Sequence, residues 1–312
     1  MIQILCGRDI AVNSVSKSRD KELIFNFSAQ MRNFVYVVTY PVDDATNAIV
    51  IDCSWDVSGL KTFLRDKYGV KRIEKALYTH RHFDHCGGVL PKFMTGGRSG
   101  VRVEGVKEIR EDGTQVFVGK KDVSGMARQS GLKESEINTL EDGMRVAVGN
   151  EIAHIDVIET PGHTPGSCCF RLSKPKCNEG ILFTGDTLFV GSCGRSDLPE
   201  SDPRHLLHSL TRLSKLPESD IVLPGHHYAY TNRSTMGTEV ETNTMIHQAL
   251  RFSRKKLSRS ETSCSRLETS CSEQYKLPNY VETCRNVFSG GVSFPFRCFC
   301  SIPLASDTMC KF

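Results

Sequence analysis

Several things are missing from these 312 residues, and each absence narrows the reading. There is no run of about 18 apolar residues, so no segment is suited to cross a membrane as a helix. The opening stretch, MIQILCGRDIAVN, has neither a basic start nor the apolar length of a secretion signal. A bulk excess of one charge is also lacking where it would matter. Residues 1–250 carry 30 basic and 31 acidic side chains, and the formal charge of +4 comes from residues 251–312, with 10 basic and 5 acidic. A near-neutral body of that length excludes a broad nucleic-acid-binding face. Paired C-x-x-C motifs are absent too. The 13 cysteines are therefore expected as reduced thiols in the cytoplasm, and those at 264, 271, 284, 298, 300 and 310 do not form a zinc knuckle.

What is present divides into two parts. Residues 1–250 have the length and alternation of a catalytic α/β domain. Val35–Tyr40, Ala48–Asp52, Ile73–Tyr78, Val116–Gly119, Val146–Val148, Ala153–Ile158, Ile181–Thr184 and Ile221–Leu223 read as strands. Val57–Tyr68 and Asp122–Gly131 read as helices, and Ser201–Leu216 reads as one capped by Ser201, with Leu206, Leu210 and Leu213 on one stripe. Gly96–Asp112 is Gly-rich and charged, and is expected as a surface excursion. Residues 251–312 contain the near-duplicate heptads SRSETSC and SRLETSC, and a Ser/Cys-rich, disordered tail is the expectation there. Across that boundary, Met245–Lys256 has the composition of one helix.

The chemistry concentrates in Thr79–Gly88, THRHFDHCGG. His80, His82, Asp84 and His85 follow directly on an apolar strand, where positions 80 and 82 can face one way while 84 and 85 turn another. A single histidine there would be an ordinary surface or core residue; four potential ligands at this spacing are not. Gly87 and Gly88 permit a sharp turn, expected to open the next helix. Three further strand exits supply His163 in TPGHTPGS, Asp186 in FTGDTL and His226 in LPGHHY. One site of His80, His82 and His163 and a second of Asp84, His85 and His226 can then share Asp186. Two cations so held would lie about 3.5–4 Å apart with a bridging hydroxide as nucleophile. His/Asp ligation without thiolate suits zinc, iron or manganese.

These motifs resemble the metallo-β-lactamase superfamily, with its His-x-His-x-Asp-His signature followed by distant His, Asp and His, over roughly residues 30–235. The resemblance implies an αββα four-layer sandwich with the metals at one edge. Within the superfamily, FTGDTLFVGSCGRSD is most similar to the glyoxalase II-like branch of hydroxyacylglutathione hydrolases and to the related persulfide dioxygenases. The former implies hydrolysis of a small thioester or glutathione conjugate such as an S-hydroxyacylglutathione, with Asp84 orienting the nucleophile and Arg195 and Tyr228 contacting substrate. Arg195 has a competing role in an ion pair with Asp197 or Asp202, and Tyr228 in simple packing. The alternative is a mononuclear iron persulfide dioxygenase using His80, His163 and Asp186. Cys86, Cys168, Cys169 and Cys193 flank the motifs and are expected to be small hydrophobes rather than nucleophiles.

Overall fold

The structure is a computed structural model that describes residues 1–13, 18–173 and 179–263, with only the backbone beyond 255. The first half runs β1 (Ile2–Leu5), α1 (Arg19–Met31), β2 (Phe34–Val42), β3 (Ala45–Ile51), α2 (Val57–Tyr68), β4 (Val70–Tyr78), α3 (Phe83–Cys86), β5 (Gly88–Val89), β6 (Arg102–Val103), α4 (Val106–Arg110), β7 (Gln115–Gly119), α5 (Val123–Ser130) and β8 (Asn138–Leu140). The second runs β9 (Arg145–Val148), β10 (Ala153–Glu159), β11 (Cys168–Ser173), β12 (Gly180–Gly185), α6 (Pro203–Leu213), β13 (Ile221–Pro224), β14 (Ser234–Thr235), α7 (Met236–Thr242) and α8 (Thr244–Ser263).

Twelve strands form two six-stranded mixed sheets, in the orders β1-β2-β3-β4-β7-β8 and β14-β13-β12-β11-β10-β9, and β5 and β6 form a separate pair. Side chains alternate along each strand, and here both faces are buried. On β2, Tyr36, Val38 and Tyr40 point between the sheets, where they join Ile49, Phe170, Phe183 and Leu223 in a shared core. Val35 and Val37 point outward to a second core containing Ile24, Leu60, Ile109 and Met126 from α1, α2, α4 and α5. The far face of the other sheet buries Leu182 and Val222 against Leu206 and Leu210 of α6, Met236 of α7, and Ile246 and Ala249 of α8. Helix, sheet, sheet and helix thus form four layers, as the resemblance implied.

Local chemistry sets the helix ends. Asp56 accepts from Gly59 N at the start of α2, and Gly69 ends it in the left-handed region. At α6 the cap is Asp202, accepting from the amides of Arg204 and His205. Ser201, the residue expected there, instead gives its hydroxyl to the carbonyl of His163. Two other expectations are corrected. Gly96–Asp112 is not a mere surface excursion: it contributes β6 and α4 and buries Val101, Val103, Val106 and Ile109. Gly87 and Gly88 do turn with positive φ, but they close the short α3 and lead into β5 rather than opening a helix.

The boundary drawn at residue 250 falls inside α8. The tail expected beyond it lies, from 264 onward, outside the described residues. Among the described residues, no helix is long and apolar enough to cross a membrane.

Candidate metal centre

The strand exits converge. β4 delivers the segment from Thr79 to His82, and α3 adds Asp84 and His85 on its single turn. His163 follows β10, Asp186 follows β12 and His226 follows β13. Their ligand atoms form three overlapping groups, each within 4.8 Å: His80, His82 and His163; His80, His85 and Asp186; Asp84, His85 and His226. All seven predicted positions therefore meet, in the two predicted sets with Asp186 between them.

What the outer nitrogen of each imidazole does fixes what the inner one offers. His163 Nδ1 donates to the carbonyl of Arg195 at 2.8 Å, and His226 Nδ1 to the carbonyl of Met31 at 2.7 Å. His85 Nδ1 faces Asp52 Oδ2 at 3.0 Å, and His82 Nε2 faces Glu200 Oε1 at 2.9 Å. The Thr79 hydroxyl donates to Asp52 at 2.7 Å, so it must accept from His80 Nδ1 at 3.1 Å. With every outer proton so assigned, the five inner nitrogens turn lone pairs toward one another. His82 Nδ1 stands 3.1 Å from His80 Nε2 and 3.0 Å from His163 Nε2, and His85 Nε2 stands 3.1 Å from His226 Nε2.

The carboxylates sharpen the point. Asp186 Oδ1 is buried without a hydrogen bond, although His85 Nε2 is 3.2 Å away. Asp186 Oδ2 lies 3.3 Å from His226 Nε2 and 3.6 Å from His163 Nε2. Five lone pairs and two carboxylates at such separations call for positive charge between them. The residues thus fit a cation pair chemically. The same field favours protons on the imidazoles beside the aspartates, protons that bound cations would displace. Burial pulls His85 and His226 down, yet the neighbouring aspartates reverse this, taking His85 well above its usual range and His226 up to about 9. Burial likewise opposes ionisation of Asp84 and Asp186, and the histidines more than offset it. His80 and His163 are pushed down by burial and stay neutral.

The residues that brace these ligands escaped sequence reasoning. Asp52, at the end of β3 with a φ of 54°, accepts from the amide and hydroxyl of Thr79 and from His85. One carboxylate thereby orients a ligand of each set. Asn33 donates to Asp84 Oδ2 at 3.0 Å and is itself held by Trp55 Nε1. Asp122, fully buried, ties the amides of Arg81 and Gly166 and the hydroxyl of Thr164 together, joining the two ligand-bearing loops. Gly225 is required by close approach, since a Cβ there would meet Asp186 Oδ1 at 2.5 Å and His85 Cε1 at 2.8 Å. The only signal for Asp52 was its place at a strand exit, which the other ligands share.

Comparison with known proteins gives the family. The metallo-beta-lactamase superfamily pattern matches residues 32–226. The chain belongs to the metallo-beta-lactamase superfamily. Among curated relatives, a hydroxyacylglutathione hydrolase from Prochlorococcus marinus (strain NATL1A) is 32% identical over 217 residues, 70% of this chain and 75% of the relative. Among solved structures, a metallo-beta-lactamase from Staphylococcus aureus subsp. aureus COL aligns with a TM-score of 0.55 at 22% identity, covering 87% of this chain and 72% of that one. ETHE1 from Myxococcus xanthus aligns with a TM-score of 0.52 at 22% identity, covering 72% and 88%. At that identity the two structures speak for the fold.

Around this superfamily site, the two substrate candidates are placed differently. Tyr228 is half exposed and stacks on His226, ring centroids 4.6 Å apart and 9° from parallel, with Phe189 edge-on to it. It walls the cluster on one side. Arg195 forks onto Asp197 with bonds of 2.9 and 3.0 Å, while its carbonyl serves His163. The ion pair weighed against its substrate role is therefore formed in this structure. Cys86, Cys168 and Cys169 are buried, and burial raises all three thiols above their usual range; that of Cys193 rises to about 12. None is a thiolate nucleophile at neutral pH.

Proposed function

We propose that the chain hydrolyses a small thioester, an S-hydroxyacylglutathione being the leading class, at a centre of two divalent cations. The observation that carries this is the set of five imidazoles whose outer N–H groups are all engaged, leaving five inner lone pairs and two carboxylates turned on one volume. His80, His82 and His163 would hold one cation and Asp84, His85 and His226 the other, with Asp186 between them. Zinc, iron or manganese suits this donor set. Bound there, divalent cations supply Lewis acidity that lowers the pKa of water toward neutrality and polarises an acyl carbonyl.

The side chains do the rest. Asp84, oriented through Oδ2 by Asn33, positions the attacking water and accepts its proton. The acyl carbon gains a C–O bond, the C–S bond breaks, and the thiol leaves protonated. Tyr228 presents its ring to the substrate beside His226. Arg195 would have to exchange Asp197 for a substrate carboxylate, a swap open to a half-exposed guanidinium. The relative named for hydroxyacylglutathione hydrolysis, at 32% identity over most of both chains, supports the thioester as the reacting bond.

The persulfide dioxygenase alternative needs only His80, His163 and Asp186, and leaves the Asp84–His85–His226 set without a task. The test is a paired assay of the purified protein. S-lactoylglutathione should release free thiol with no oxygen consumed. Oxygen uptake with glutathione persulfide, and no thiol release from the thioester, would refute the proposal.

A further inference from the structure

Three of the five imidazoles in the cluster are braced by groups at the ends of strands or of α1: His226 by the Met31 carbonyl, His85 by the Asp52 carboxylate and His80 by the Thr79 hydroxyl on the same Asp52. His163 is braced by a main-chain carbonyl, that of Arg195. His82 is different. Its outer nitrogen meets Glu200 Oε1 at 2.9 Å, a side chain from a loop 118 positions away. Both groups lie at the mouth, with side chains 21% and 26% exposed, whereas His80, His85, His163 and His226 are buried.

The loop is placed by the neighbouring ligand. Ser201 gives its hydroxyl to the carbonyl of His163 at 2.7 Å, and the Asp202 amide bonds to Gly162 at 2.8 Å. The segment from Arg195 to Asp202 thus supplies the Arg195 carbonyl to His163 Nδ1 and the Glu200 carboxylate to His82 Nε2. Two of the three ligands in one set take their orientation from this one partly exposed stretch.

We propose that Glu200 is a positioning residue of the centre: by accepting the Nε2 proton of His82 it keeps Nδ1 turned to the His80–His82–His163 site, which therefore depends on the 195–202 loop to keep its cation. The proposal rests on the reading of the cluster as a cation centre. A carboxylate acceptor both fixes the tautomer and makes the inner nitrogen more basic. The rival account is that Glu200 merely pairs with Arg81, whose guanidinium is 3.4 Å from the same oxygen.

The test follows metal per chain while the metal-loaded protein is equilibrated against graded chelator. Glu200→Ala should give up one of two equivalents at about 10–100-fold weaker chelation than the parent, the cost typical of losing such a partner. Glu200→Gln, which keeps an acceptor oxygen, should recover part of that shift. Arg81→Met, which removes the ion pair with Glu200 together with the longer one to Asp122 but leaves the His82–Glu200 bond, should move the curve much less. An alanine variant superimposable on a two-metal parent would overturn the proposal alone, as would equal shifts from the Glu200 and Arg81 variants. A parent that binds no metal would overturn the reading of the centre and the proposal with it.

Discussion

The Asp84–His85–His226 set takes its outer partners from Asn33, Asp52 and the Met31 carbonyl, all at the ends of strands or of α1, with Asn33 and Asp52 buried and Met31 partly so. The His80–His82–His163 set takes one from Thr79 on Asp52, and two from the partly exposed 195–202 stretch. The inner donors differ by one group, three imidazoles in one set against two imidazoles and the Asp84 carboxylate in the other, and the bracing differs as well. Buried hydrogen bonds act in a low dielectric and cannot be traded for water without loss, whereas those at the mouth can. The all-imidazole, loop-braced set, with no carboxylate of its own, is therefore expected to release its cation first.

That comparison can be broken at three depths. Asp186 belongs to both sets, so Asp186→Ala should remove both cations together and lower hydrolysis by more than about 10²-fold, beyond the usual cost of an outer partner. Metal analysis and kcat/KM on the same preparation check this; full metal occupancy would disprove the shared role. Asp52 reaches both sets indirectly. Asp52→Ala should weaken retention of both cations about 10–100-fold. It should also lower the unfolding free energy by about 1–3 kcal/mol, because the Thr79 amide and hydroxyl lose a buried acceptor. Chelator titration and denaturant unfolding read the two effects separately. Asn33 touches only the buried set. Asn33→Ala should shift one cation by about 10-fold and leave the other in place. Two cations shifting equally would mean that the sets are not independently braced.

Legibility in the sequence followed the same division. The inner donors were readable because their chemistry is local: four potential ligands in six residues after an apolar strand, and three more at strand exits bounded by glycine or proline. The sheets were readable where apolar runs were bounded by turn residues, as in β2, β3, β4 and β10. The outer partners were not, because Asn33, Asp52 and Glu200 are ordinary residues in ordinary places until folding brings them to partners 33 to 118 positions away. Gly96–Asp112 misled for the same reason. Its glycines and charges dominate the composition, while the pairing of β5 with β6 that buries Val103 is non-local. Ser201 and Asp202 are both good caps by type, and the demand of the His163 carbonyl for a donor decided between them.

The most direct test of the account is the metal content of the purified, metal-replete chain, measured on the preparation that is assayed. Two divalent cations per chain together with thioester hydrolysis is the predicted result. A single iron per chain, with oxygen consumed and no thioester turned over, would contradict it.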